Sequence, residues 1–137
     1  MRTVRLLTIN DADEVYWMDE ASGFCISQWL EENTDYAYGI FEDGELIGYC
    51  SVGGADDVND DIYEDEDYDF ESLLLSDVYI YPQYRKTGAA LQMLTEVMSI
   101  RVNTETVYCE PSYPELIRLY EKVGFEQINE NILKRKE

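Results

Sequence analysis

The chain contains no histidine, and that absence removes a large share of enzyme chemistry. Ser-His-Asp and Cys-His nucleophilic catalysis are excluded, together with His-containing zinc sites. Its three cysteines, Cys25, Cys50 and Cys109, cannot all pair with one another. No secretory leader is read at the N-terminus, and no apolar run approaches the roughly 20 residues that cross a bilayer. The expected setting is therefore reduced and cytoplasmic, without a membrane partner. Positive charge is scarce too: 10 Lys and Arg stand against 30 Asp and Glu, a formal net charge of −20. Such a surface repels nucleic acid and anionic lipid over most of its area, so nucleic acid is not an expected partner. The 137 residues fit one domain, 1–137, long enough to bury a core. Chemistry is left to carboxylates, tyrosine, backbone amides or a cofactor.

One stretch organises the rest. Ser72 to Ile80 is β-rich and closes at Pro82, which has no N–H for a sheet ladder. After it, Ala90, Leu91, Leu94, Val97 and Met98 recur at helical spacing. Between lies a short basic turn, Arg85-Lys86-Thr87-Gly88, where the first amides of a helix have no partner; that is an anion site, most naturally for phosphate. Gly88 lets a phosphate approach the backbone, and Ala90 is small enough to do nearly the same. Further on, Pro114, Leu116, Tyr120 and Val123 compose a second helix, with Ser112 and Glu115 as a capping box and Gly124 as a left-handed stop before Phe125.

Arg85-Lys86-Thr87-Gly88-Ala89-Ala90 with Leu91 and Leu94 behind it resembles motif A of the GNAT superfamily of acyl-CoA-dependent N-acetyltransferases. Leu119-Tyr120 with Gly124-Phe125 resembles its motif B, and the two stand in the right order around a strand, Thr106 to Cys109. The resemblance extends over nearly the whole chain. It implies an α/β (α+β) fold: a mixed, mostly antiparallel sheet of six or seven strands flanked by helices, with a splayed parallel pair where acyl-CoA lies. It also implies that Val78 and Ile80 on the strand, and Arg85, Lys86, Thr87, Gly88, Ala89 and Ala90 on the turn, hold acetyl-CoA as co-substrate, with no metal. Family members often carry an asparagine seven residues before the motif-B tyrosine; here that position is Tyr113.

The remaining segments fit around this frame. Thr3 to Ile9 reads as a first strand, followed by a helix capped by Asn10 or Asp11 and, after Ser22-Gly23, a second amphipathic piece with Phe24, Ile26, Trp29 and Leu30. Trp17 and Trp29 are expected to pack in the core or a lid rather than to touch substrate. Residues 36–41 and 46–52 form a hairpin through Asp43-Gly44, with Cys50 as a small buried hydrophobe. From Asp56 to Glu71, ten carboxylates favour an extended loop rather than a folded element. That loop is a solvated tip, or it borders the acceptor cleft and steers a cationic amine, or it binds a divalent ion, a reading weakened by the lack of a glycine-centred calcium loop. Residues 125–134 close the sheet as a hairpin.

The reaction implied by the resemblance is direct acetyl transfer from acetyl-CoA to a primary amine, either a small amine or one of a peptide. Tyr120 falls at the family's general acid, and a phenol with an ordinary pKa of about 10 is protonated at neutral pH. Asp77, on the strand before the turn, is one candidate base, although a bulge would turn it over. Glu110, at the end of the following strand, is another, and water can substitute for both. The acceptor is expected to be cationic and the protein a monomer or homodimer. Two other functions are compatible with the residues: a non-catalytic acyl-CoA-binding module, and an acidic interaction protein or nucleic-acid mimic.

Overall fold

Asp43 and Gly44 both take left-handed backbone, at φ 50° and 89°, the geometry a two-residue turn needs to match the twist of its strands. They join β2 (Ala37–Glu42) to β3 (Glu45–Gly54). The computed structural model, which describes residues 1–31, 36–55, 60–111 and 114–136, adds β1 (Arg2–Leu6) antiparallel to β2 and β4 (Leu73–Ile80) antiparallel to β3. β4 runs parallel to β5 (Val107–Cys109), and β6 (Glu126–Gln127) with β7 (Leu133–Arg135) makes the closing hairpin. The order is β1-β2-β3-β4-β5-β7-β6, a seven-stranded mixed sheet with one parallel pair. The expected architecture is the observed one.

Four helices flank it: α1 (Ala12–Ser22), the short α2 (Asp60–Tyr63), α3 (Ala89–Arg101) and α4 (Leu116–Lys122). Successive residues of a strand face opposite sides, and the core divides accordingly. Tyr38, Ile40, Cys50, Val52, Leu73, Leu75, Val107 and Cys109 pack with Met93, Leu94 and Val97 of α3 and Tyr120 of α4. Met93, Leu94 and Val97 are fully buried, each contributing about 1.5–3 kcal/mol of apolar burial. On the other face, Val15 and Met18 of α1 pack with Phe41, Leu46 and Tyr49.

Several local expectations failed. β1 stops short of Ile9 because Thr8 begins a 3-10 turn over Ile9–Asp11. Asp11 stands at the N-cap position of α1, as expected, but its carboxylate makes no cap bond to that helix; it accepts from the Thr8 amide (2.8 Å), while the Thr8 hydroxyl accepts from the Asn10 amide (3.3 Å) and caps the 3-10 turn. After Gly23 (φ 85°) closes α1, the second amphipathic piece is a single 3-10 turn, Ile26–Trp29. Trp17 and Trp29 are both exposed, at 67 % and 41 %, and each meets only a tyrosine ring among the aromatic pairs of the described residues, Tyr16 at 5.7 Å and Tyr36 at 6.3 Å.

The acidic segment is another such place. Residues 56–59 lie outside the described residues, but from Asp60 onward the segment is folded on the sheet. Ile62 is fully buried with Ala55, Tyr108 and Ile132. Asp65 accepts from the Tyr108 hydroxyl (2.7 Å) and Lys134 Nζ (2.9 Å), and Asp67 accepts from Lys134 Nζ (2.7 Å) and Lys136 Nζ (2.7 Å). Lys134 of β7 and Lys136 just beyond it thus compensate the local repulsion. The capping box at Ser112 also lies outside the described residues, as does Tyr113.

Candidate active site

The site begins with an extra residue in β4. Gly48 pairs with Ile80 and Tyr49 with Tyr79, but the next pair is Ser51 with Ser76, so Asp77 and Val78 together oppose Cys50. This is a β-bulge, and Asp77 takes left-handed backbone there (φ 55°). Strict alternation would send Val78 and Ile80 to the face opposite Leu73 and Leu75. With the bulge, all four pack into the same core cluster. Val78 and Ile80, expected to contact coenzyme, therefore spend their side chains on the core and have backbone to offer a ligand.

The parallel pairing ends early. Leu73, Leu74 and Leu75 pair with Val107, Tyr108 and Cys109, and beyond them β4 runs on to Ile80 with no strand on that edge among the described residues. The strands part into a notch along which no strand among the described residues pairs with the outer edge of β4.

At the end of β4 the chain makes a 3-10 turn over Pro82–Tyr84 and enters the basic turn. The Arg85 Nε donates to the Ile80 carbonyl (2.9 Å), and its guanidinium lies 5.3 Å from the Tyr79 ring centre. Lys86 and Gly88 take left-handed backbone, at φ 63° and 86°. The first helical bond of α3 is Gln92 N–H to the Gly88 carbonyl (3.0 Å). The six amides from Lys86 to Leu91 make no hydrogen bond to another described residue. Thr87 is tied from β1 instead: Arg2 Nη1 donates to its carbonyl (3.1 Å) and Nη2 to its hydroxyl (2.9 Å). A run of free N–H groups at the positive end of a helix, beside two exposed cations, is chemically suited to a multiply charged anion such as a pyrophosphate.

Tyr120 comes from α4 and is buried in the core cluster that holds Cys50 and Cys109. It is 3 % exposed, packs tilted against Phe125 (5.8 Å between rings, 58° between planes), and its hydroxyl makes no hydrogen bond among the described residues. Burial raises its pKa above the ordinary phenol value, and the neighbouring Cys109 and Cys50 add to this. The phenol is therefore protonated at neutral pH and has a hydrogen to give. The Cys50 thiol is buried and pushed up to about 12, first by burial and then by Asp77, so it is the inert hydrophobe expected of it.

Asp77 is half-buried at the bulge. Burial raises its pKa, a Ser51 hydroxyl 3.5 Å from Oδ2 opposes that, and the charge of Asp19 adds to it. Glu110 is exposed at the end of β5 and, with Pro111, Pro114, Ile117, Glu130 and Asn131, lines a separate cavity of about 350 Å³. Along the chain, Asp77 lies two residues past the last β4–β5 pair, Leu75 with Cys109, and Glu110 directly follows β5, while Tyr120 is buried in the core cluster that includes Leu75 and Cys109.

Asp19 itself was not anticipated. One signal was available: Val15, Met18 and Asp19 share the buried stripe of α1, so the aspartate stands where an apolar residue is the norm.

The chain matches the model of the Acetyltransferase (GNAT) family over residues 4–125. No curated protein matches it. Among solved structures, a GNAT-family acetyltransferase from Streptococcus agalactiae shares 20 % identity at a TM-score of 0.73, covering 99 % of this chain and 95 % of that one. The N-acetyltransferase YlbP of Bacillus subtilis, solved with coenzyme A, shares 15 % at 0.63 over 100 % and 97 %. The diaminobutyrate acetyltransferase EctA of Paenibacillus lautus, solved with L-2,4-diaminobutyric acid and coenzyme A, shares 14 % at 0.70 over 99 % and 95 %. With a match running from β1 through α4 to Phe125, on a sheet that bulges and splays where the basic turn opens, this chain belongs to the GNAT family of acetyltransferases.

Proposed function

We propose that the protein is an N-acetyltransferase that moves the acetyl group of acetyl-CoA directly to a primary amine. The observation that carries this reading is the run of unpaired amides from Lys86 to Leu91 at the end of a strand whose outer edge is open. Arg85, Lys86, Thr87, Gly88, Ala89 and Ala90 would hold the coenzyme's pyrophosphate, and the backbone of Val78 and Ile80 its arm in the notch. The coenzyme A bound by YlbP and EctA supports the same co-substrate here.

In the reaction, a neutral amine attacks the thioester carbonyl carbon and a C–N bond forms. Backbone N–H groups of the open β4 edge stabilise the tetrahedral oxyanion. Its collapse breaks the C–S bond, the Tyr120 hydroxyl protonates the departing thiolate, and Asp77 accepts the proton lost by the nitrogen. Asp77 is the better-placed base because it sits on the bulge itself; Glu110, exposed at the rim, is the alternative. A surface of net charge −20 favours a cationic acceptor by steering.

A screen of small amines and lysine-containing peptides for thiol release from acetyl-CoA tests the reading. Saturable release with at least one amine is expected. Acetyl-CoA binding without release from any amine would replace catalysis by a binding role.

A further inference from the structure

The first strand reaches the basic turn through a residue that neither motif contains. In Arg2-Thr3-Val4-Arg5-Leu6 the side chains alternate: Val4 and Leu6 pack against the core cluster that includes Met93 and Leu94 of α3, whereas Arg5 lies over the Phe41 ring on the other face. Arg2 shares the face of Val4 and Leu6. It stands opposite Glu42 of β2, its carbonyl accepts from Gln92 Nε2 of α3 (3.4 Å), and its guanidinium extends to Thr87. The side chain is only 19 % exposed, so the guanidinium is committed to these partners rather than to solvent.

Three acceptors divide that guanidinium. Nε donates to Glu42 Oε1 (3.0 Å), Nη1 to the Thr87 carbonyl (3.1 Å) and Nη2 to the Thr87 hydroxyl (2.9 Å). The hydroxyl donates in turn to the Tyr84 carbonyl. It is engaged as both donor and acceptor inside the protein, which leaves the Thr87 amide for a ligand. Thr87 lies between Lys86 and Gly88, both in left-handed backbone (φ 63° and 86°). A left-handed lysine persists only where its surroundings over-determine it. Here the fork grips the peptide that joins Thr87 to Gly88, and the hydroxyl bond ties Thr87 back to the residue before Arg85.

We propose that Arg2 is a positioning residue for the coenzyme's pyrophosphate: it holds the turn in the shape that aims the amides from Lys86 to Leu91 at one anion, without touching the anion itself. This rests on the reading of that amide row as the pyrophosphate site. Glu42, 3.0 Å from Nε, answers the charge of Arg2, so the contribution of the fork is geometry rather than attraction. An amide row already in place needs no ordering when the anion arrives, and affinity gains by the ordering that is avoided.

Calorimetric titration of the full chain with acetyl-CoA tests it. Arg2→Met keeps an apolar stem and removes the fork, and Kd should rise about tenfold or more. An ammonium is a point charge without the planar fork, so Arg2→Lys should weaken binding nearly as much. Parental affinity in Arg2→Lys would assign the effect to charge and overturn the proposal. Thr87→Val removes the hydroxyl with little change of shape and should also weaken binding; combined with Arg2→Met, the two losses should fall short of their product, as they do for groups that act through one contact. With the first amine active in the screen, the Arg2 variants should show a raised KM for acetyl-CoA and a kcat near the parent's. A lowered kcat at unchanged KM is what a smaller folded fraction gives, and it too overturns the proposal. If Arg2→Met does not fold, Arg2→Lys and Thr87→Val carry the decision. Equal acetyl-CoA affinity in Gly88→Asp and Gly88→Asn would remove the anion site itself, whereas a difference between those two, with parental affinity in the Arg2 variants, would sink the positioning role alone.

Discussion

Replacing Gly88 separates backbone strain from charge at the proposed pyrophosphate site. The glycine sits at φ 86°, and a Cβ added there meets nothing within 4 Å. Gly88→Ala thus incurs no clash, only the left-handed penalty of about 1–2 kcal/mol. Asn and Asp tolerate that region better, and the two have nearly the same shape. A carboxylate about 4 Å from a bound phosphate repels it by about 4 kcal/mol at an effective dielectric of 20, and by about 1 kcal/mol at that of water. Gly88 is exposed, so an intermediate of about 1.5–3 kcal/mol is the working figure, or about 10- to 100-fold in Kd. In the free protein the same carboxylate faces the positive end of α3 and is slightly stabilising there. Gly88→Asp should therefore melt no lower than Gly88→Ala, yet bind acetyl-CoA at least tenfold more weakly than Gly88→Asn. Calorimetric titration with acetyl-CoA alongside thermal melts decides it. Equal affinity in the Asn and Asp variants would refute an anion site at this turn.

Tyr120→Phe should leave Tm nearly unchanged, since the hydroxyl has no described partner to lose, while kcat falls about ten- to a thousandfold with little change in KM for acetyl-CoA; kcat within twofold, with chemistry rate-limiting, would return Tyr120 to packing. Gly48→Ala would place a Cβ 2.8 Å from the Tyr79 carbonyl oxygen and against the Ile80 side chain, so a loss of about 1–3 kcal/mol in denaturant unfolding is expected, with weaker acetyl-CoA binding because β4 must shift at the notch. Lys134→Met should lower Tm by a few degrees at pH 7. Burial works against the Asp65 carboxylate, but hydrogen bonds from Tyr108 and Lys134 outweigh it, and Lys134 with Lys136 holds Asp67 below its ordinary value. Carboxyls lowered in this way stabilise above their unfolded pKa and lose that contribution as pH falls through the folded value. The difference from the parent should accordingly shrink on acidification below the ordinary carboxylate range; a gap that is constant with pH would assign Lys134 to packing alone.

The fold was legible where backbone chemistry is local. Asp43-Gly44 allows little besides a hairpin, Pro82 stops β4, and Gly88 and Gly124 mark turns at positive φ. The bulge was not legible, because Leu73 to Ile80 is buried or half-buried from both faces and a run apolar on both sides carries no alternation to break. The acidic segment misled because its composition is local while its partners are not: Tyr108 and Lys134 reach Asp65 from 43 and 69 residues away. Motif residues of the turn stood out in the sequence. The Asp19–Tyr49 pair did not, since its hydrogen bond spans 30 residues and one aspartate in an acidic helix carries no mark.

The Arg2 fork on Thr87 joins the first strand to the turn 85 residues later, and the Gln92 side-chain Nε2 donates back to the Arg2 carbonyl at 3.4 Å. β1 is the outermost strand of its side of the sheet, the kind of element that opens first in native-state fluctuations. Each such opening would release Thr87 and loosen the amide row that follows it. By linkage, whatever anion tightens that row must in turn hold β1 down. Amide hydrogen exchange in Thr3 to Leu6 should therefore slow when acetyl-CoA binds at the far end of this connection, making the edge strand a reporter of occupancy.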